Sequence, residues 1–222
     1  MKNMISTKKK DHNKPTLFCG SIPEIIDNIV NKIKNSNYKR ENIAIIGPVK
    51  KSKPMNDYYS NIGLSLMTNL LEDYDIPYLK HYEDTNNTDV VLDKFKKQEG
   101  YINLMTIHGS KGLEFDVVFL PGWEEGLFPH QKSIEEKGQS GLEEERRLAY
   151  VGITRAKKKA IISFSMNRFY QGDWIDSMAS RFIDELPEKH LEKNSFFEEE
   201  VDDAQDFDFN QDFEIEEGTR SP

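Results

Sequence analysis

Two stretches of this chain combine residue types that could act on a phosphate. The first runs Thr106-Ile107-His108-Gly109-Ser110-Lys111-Gly112-Leu113-Glu114-Phe115. Its two glycines let the backbone come close to a phosphate or a neighbouring chain. Lys111 is a mobile cation of the kind that meets phosphate. Glu114 is a carboxylate able to accept from sugar hydroxyls, as acids do in other nucleotide-binding folds. Taken singly, His108 also reads as a structural histidine and Glu114 as a helix-capping acid. The second stretch runs Glu144-Glu145-Arg146-Arg147-Leu148-Ala149-Tyr150-Val151-Gly152-Ile153-Thr154-Arg155-Ala156. Leu148, Val151 and Gly152 are spaced i, i+3, i+4, so they share a helix side that can pack on a sheet. Arg155 lies one turn beyond Val151. Its planar fork of donors suits phosphate oxygens, and an arginine delivered this way stabilises charge on a transferring phosphoryl group. A plain amphipathic helix accounts for Glu143 to Arg147 but not for the VGITRA ending.

The elements that must position these residues alternate between strand and helix. Ser21 and Glu24 form a capping box, and Ile25, Ile26, Ile29, Val30 and Ile33 fall at helical spacing, which predicts a helix over 23–34. Thr16 to Cys19 reads as an edge strand. Asn42 to Gly47 reads as a strand buried on both faces, as in a parallel sheet. Ile62, Leu66, Met67, Leu70, Leu71 and Tyr74 form a second helical stripe, followed by a strand at Tyr78. Tyr101–Ile107, Asp116–Pro121 and Ala160–Ser165 are further strands. Residues 126–141 read as a polar loop, Glu143–Ala156 as a helix with acids in its first turn, and Met178–Leu186 as a last helix that Pro187 helps to end. This alternation implies a parallel sheet with right-handed crossovers. The basic loop Lys50-Lys51-Ser52-Lys53-Pro54 follows a strand's carboxyl end, where open α/β sheets put ligands; a solvated surface loop is the other reading.

Charge divides the chain. The net charge is −9 over 222 residues. Residues 187–222 hold 13 acidic and 3 basic residues, so residues 1–186, with 26 acidic and 27 basic, are neutral overall. The acidic tail, with Phe196, Phe197, Phe207, Phe209 and Phe213 among its acids, reads as disordered, or as a segment that docks on a basic partner. Residues 1–15 read as a disordered linker. A neutral body still leaves room for a local basic stripe on nucleic acid. One cysteine, Cys19, rules out an intrachain disulfide, which suits a reducing interior. No long apolar run suggests a membrane span or a secretory signal.

Together the two stretches resemble the last two signature motifs of superfamily 1 DNA helicases of the UvrD, PcrA and Rep type. The resemblance covers roughly residues 40–186, the second motor domain of such an enzyme. It implies an α/β, RecA-like domain of the P-loop NTPase type over 16–186, with a mainly parallel sheet flanked by helices. The family's large helical insertion is reduced or absent at 79–103. By resemblance, Arg155 is the finger on the γ-phosphate, Glu114 the ribose contact, and Gly112 lies close to the nucleotide. Thr106, His108 and Lys111 match positions between nucleotide and single strand. Glu145 and Arg146 brace the site, with Tyr150 and Thr154 as further motif support. Trp123 to Gly126 and Phe128-Pro129 also match and suggest packing and a domain interface; Trp123 and Phe128 could alternatively stack on bases. The implied ligands are ATP with Mg²⁺, single-stranded DNA and an N-terminal motor domain, inside the cell, in cytoplasm or nucleoid, with 3′ to 5′ movement as in most relatives.

The phosphate loop G-x-x-x-x-G-K-[ST] is absent from the sequence, as are an acidic magnesium box after a strand and any Cys/His metal cluster. The implied partner half would supply the phosphate loop and the metal ligands. The chain is therefore expected to begin after the family's N-Y-R-S-T motif, as a fragment, split subunit or truncated copy, and to hydrolyse little ATP alone. A non-catalytic module that kept the fold and holds DNA or a helicase is the alternative.

Overall fold

Six apolar side chains decide where the first helix lies. In the computed structural model, which describes residues 14–48, 63–82, 95–170 and 173–194, β1 (Thr16–Gly20) leads into α1 (Ile22–Lys34). Ile22, Ile25, Ile26, Ile29, Val30 and Ile33 are all buried on one face of α1. At about 1.5–3 kcal/mol per buried aliphatic side chain, that face outweighs the cap, which contributes about 1 kcal/mol. The capping box forms as the sequence predicts: the Ser21 side chain accepts from Glu24 N, and Ser21 N donates to the Glu24 carboxylate at 2.7 Å. The backbone N–H of Ser21, and then its hydroxyl donating to the same carboxylate at 2.8 Å, hold the Glu24 carboxyl below its usual range.

The chain continues through β2 (Ile43–Gly47), α2 (Leu64–Asp73), β3 (Tyr78–Lys80), β4 (Ile102–Thr106) and β5 (Phe115–Pro121). Then come α3 (Gln131–Lys137), α4 (Gln139–Thr154), β6 (Ala156–Ser165), the strands β7 (Asn167–Tyr170) and β8 (Asp173–Asp176), α5 (Arg181–Asp184) and β9 (Glu192–Asn194). One sheet carries the order β3-β4-β2-β5-β6-β1-β9, and every pairing in it is parallel. β7 and β8 pair separately as an antiparallel hairpin. Side chains alternate across each strand. Ile43, Ile45, Ile102, Leu104, Val117 and Phe119 join the core beneath α1 and α2. Ala44, Ile46, Met105, Val118, Leu120 and Ile162 join the core beneath α4 and α5. The architecture is thus α/β with helices on both faces, as expected.

Several local expectations need correction. β1 is not an edge strand: Thr16 is in register with Ile161 on one side and Glu192 on the other. The added edge, β9, comes from residues assigned by composition to the tail. Its short backbone run supplies sheet hydrogen bonds that an acidic average over 187–222 conceals. Residues 126–141 are not all loop, because α3 lies within them. α4 starts at Gln139, so Glu143, Glu144 and Glu145 sit beyond its first turn. Gly138, with φ +57°, separates α3 from α4, a conformation glycine tolerates. The last helix is a single turn capped by Ser180, whose side chain accepts from Phe182 N. The basic loop 50–54 and most of the shortened insertion, 83–94, lie outside the described residues, as do residues 1–13 and 195–222.

Candidate functional site

The first chemical stretch is a crossover. β4 and β5 are parallel and both pair with β2, which lies between them. Parallel strands are commonly joined through a dozen or more residues; here residues 107–114 do it. The link starts in tight turns, through Gly112, before it reaches β5. It is pinned at its start by a 3-10 turn, His108–Ser110. Thr106 Oγ1 accepts from Gly109 N at 3.1 Å, and Ser110 Oγ donates to Ile107 O at 2.7 Å. Gly112 turns the chain with φ +85°, a left-handed conformation that disfavours other residues. Thr106 and His108 therefore stand at the carboxyl edge of the sheet, and Glu114 at its amino edge.

The second stretch arrives at that amino edge. A Cβ on Gly152 would lie 3.2 Å from Leu120 Cδ2, so α4 packs closely on β5 there. Arg155 follows as the C-cap of α4. Its Nε donates to Val151 O at 3.0 Å, Nη1 to Leu113 O at 2.9 Å, and Nη2 to Thr154 Oγ1 at 3.1 Å. Thr154 Oγ1 in turn donates to the Tyr150 and Val151 carbonyls. The backbone closes the junction, Phe115 N donating to Arg155 O at 2.9 Å. A guanidinium has five N–H groups. Three are committed here, which leaves one on each terminal nitrogen for an incoming acceptor. The Glu114 carboxylate is half exposed and 3.5 Å from Lys157 Nζ.

Gly112, Glu114 and Arg155 are thus brought together, whereas Thr106 and His108 lie across the sheet from them, and Lys111 is exposed between. His108 is exposed and Glu114 precedes a strand, so neither is a buried structural histidine nor a helix cap. Glu145 and Arg146 brace α4 rather than touch this edge. Glu145 accepts from His130 N at 3.1 Å. Arg146 pairs with Glu143 on its own helix and grips Glu185 at 2.7 and 2.9 Å. Tyr150 is half exposed on α4. Trp123 and Phe128 are buried and stack edge-on 5.2 Å apart. Their place in the core removes the base-stacking reading. Glu125 anchors the same segment through a two-pronged pair with Arg181, at 3.0 and 2.8 Å.

Sequence reasoning missed Lys97. Its ammonium donates to Asn42 Oδ1 at 2.9 Å and Glu114 O at 3.3 Å, and lies 4.8 Å over the Phe115 ring. Burial, then the nearby Lys157, pushes its pKa down. Nothing in the lysine-rich run Lys94 to Lys97 marks one of its members for this place. Among the described residues, no group of His, Cys, Asp and Glu is arranged to hold a metal ion, and no helix is long and apolar enough to cross a membrane.

The profile of the UvrD-like helicase C-terminal domain family matches residues 2–167. DNA helicase II of Rickettsia typhi is 58% identical over 90 residues, which are 40% of this chain and 14% of that protein. DNA helicase II of Escherichia coli K12 is 51% identical over 92 residues, 41% of this chain and 12% of that protein. The ATP-dependent DNA helicase PcrA of Staphylococcus aureus is 45% identical over 104 residues, 47% of this chain and 14% of that protein. The chain therefore matches only a small part of each relative's length. A solved structure, the C-terminal domain of a possible DNA helicase from Lactobacillus plantarum WCFS1, aligns over 82% of this chain and 86% of its own, at 16% identity and a TM-score of 0.47.

Proposed function

The chain belongs to the family of UvrD-like helicase C-terminal domains, and from that membership we propose that it forms the second motor half of an ATP-dependent DNA helicase. ATP binds against a separate motor domain, which supplies the phosphate loop and the magnesium ligands. Arg155 reaches the γ-phosphate from this side with its two uncommitted N–H groups. The three committed donors fix the plane of the fork, so little rotamer freedom is lost on meeting phosphate. Glu114 accepts from the ribose hydroxyls, with Gly112 leaving room for the nucleotide. Thr106, His108 and Lys111 face the single strand.

One observation carries this reading. The crossover 107–114 is short, and it ties the Arg155 edge to the Thr106 edge through the Leu113 carbonyl that Arg155 holds at 2.9 Å. Movement of the guanidinium toward a phosphate pulls on a segment whose other end faces DNA. That is the mechanical link a motor needs between hydrolysis and translocation. The ribose role is tested in a motor reconstituted with a chain bearing the phosphate loop. Glu114→Gln should raise KM for ATP and abolish the preference for ATP over 2′-deoxy-ATP, with kcat little changed. An unchanged preference sinks the assignment of Glu114.

A further inference from the structure

On the opposite face of the sheet from α4, a cavity of about 520 Å³ opens between the last turns of α1 and strands β2, β5 and β6. Its volume falls in the range of small-molecule sites. Asn28, Asn31, Lys32 and Asn35 line it from one side of α1, spaced so that all four project together. Tyr38 and Lys159 face them across the opening, over a floor of buried strand side chains.

The lysines around this edge separate into two kinds. Lys157 sits 3.5 Å from Glu114, and Lys158 sits 3.8 Å from Asp116 and over the Tyr38 ring. Lys34 lies over the Tyr74 ring at 5.0 Å. Lys32 and Lys159 alone border the cavity, and among the described residues neither has an ion-pair, hydrogen-bond or ring partner. They also oppose one another: burial and then the charge of Lys159 push the Lys32 pKa down, against a weaker pull from Glu192. Two cations that line one cavity, with only the weaker pull of Glu192 against them, are relieved by a bound anion. The carboxyl end of α1 faces the same space and opposes anions. Its last carbonyls are however partly satisfied, Asn35 N donating to Asn31 O and Ser36 N to Ile33 O. A capped half-charge is outweighed by two full charges.

We propose that this cavity is a phosphate-binding site, in which Lys32 and Lys159 hold the phosphoryl oxygens and the side-chain amides of Asn31 and Asn35 close over them. Each lysine ammonium meets a phosphate as a point charge, and the side-chain amides add donors for the remaining oxygens. The phosphate belongs either to a free nucleotide or to a nucleic-acid strand. The site stands apart from the Arg155 contacts, although Lys159 follows Arg155 by four residues, along the start of β6.

The test titrates the full 222-residue chain with inorganic phosphate, AMP and an oligothymidylate, read by calorimetry and by the Asn side-chain NH₂ resonances. The expected result is binding that shifts the Asn31 and Asn35 signals. Lys32→Met and Lys159→Met should each weaken it about tenfold or more, while Arg155→Ala leaves it unchanged. Lys32→Arg retains charge and should retain most binding, which separates loss of charge from loss of fold. AMP binding as tightly as the oligonucleotide assigns a free nucleotide. Tighter, steeply salt-dependent oligonucleotide binding assigns a strand. Binding of all three probes that ignores both methionine substitutions, or no shift at Asn31 and Asn35, overturns the site. Loss of ATP-linked function in Arg155→Ala with this binding intact would separate the two assignments.

Discussion

Gly141 offers the sharpest test of how α4 is positioned. An alanine there gains up to about 1 kcal/mol in helix propensity over glycine, so sequence reasoning alone predicts a more stable protein. The structure predicts the reverse. A Cβ on Gly141 would lie 2.1 Å from Ser133 O and 2.9 Å from Ser133 C. A carbon–oxygen contact needs more than about 3 Å, so α3 and α4 would have to separate by on the order of 1 Å. The obstacle is backbone, not the end of a flexible side chain. Gly138 joins the two helices directly, so α3 has little slack with which to retreat. Overpacking of this kind costs about 1–3 kcal/mol and sometimes more, which exceeds the propensity gain. For a domain of this size each kcal/mol moves Tm by about 2–4 °C. Gly141→Ala should therefore lower Tm by several degrees in a thermal scan followed by far-UV circular dichroism. A variant as stable as the parent, or more so, would refute the close approach of α3 to the start of α4.

Two further expectations concern the buried polar knot beside β4. Asn103 is fully buried, donating to Glu41 O and Ile43 O at 3.1 Å each and bonded to His81 Nε2 at 3.0 Å. Asn103→Leu keeps the volume but strands these partners, and should cost about 2–4 kcal/mol by urea unfolding. His81 has its pKa lowered from 6.5, chiefly by burial and despite the bond to Asn103. The unfolded chain then binds the proton more readily, so stability is intact above about pH 6.5 and falls as pH drops toward the lower folded value. His81→Gln should flatten that part of the stability–pH curve; an unaltered slope would remove His81 as its source.

Much of this was legible because the governing signals are local. The stripe from Ile22 to Ile33, the Ser21–Glu24 box and the doubly apolar run Ile43–Ile46 each carry their own reason within a few residues. The stretch 106–115 and the helix ending at Arg155 could be paired as one site only through resemblance. Spacing says nothing of the Leu113 carbonyl that joins them. What stayed hidden rests on long-range partners. β9 exists because β1 offers an unpaired edge to Glu192–Asn194, and α3 because Gly141 lets it lie against α4. Lys97 finds Asn42 and Glu114 through the order of the strands. The place of Trp123 in the core follows from Phe128 beside it, which in turn packs on Phe182, and local sequence around Trp123 does not reveal this.

The most direct measurement is ATP hydrolysis by this chain mixed with a chain carrying the phosphate loop, with single-stranded DNA, beside Arg155→Ala. The account predicts that the mixture turns over ATP, that neither chain alone does so appreciably, and that Arg155→Ala lowers kcat by about 10³–10⁵ with the fold intact. Hydrolysis in the mixture that is indifferent to Arg155→Ala would contradict it. So would DNA-stimulated hydrolysis by this chain alone.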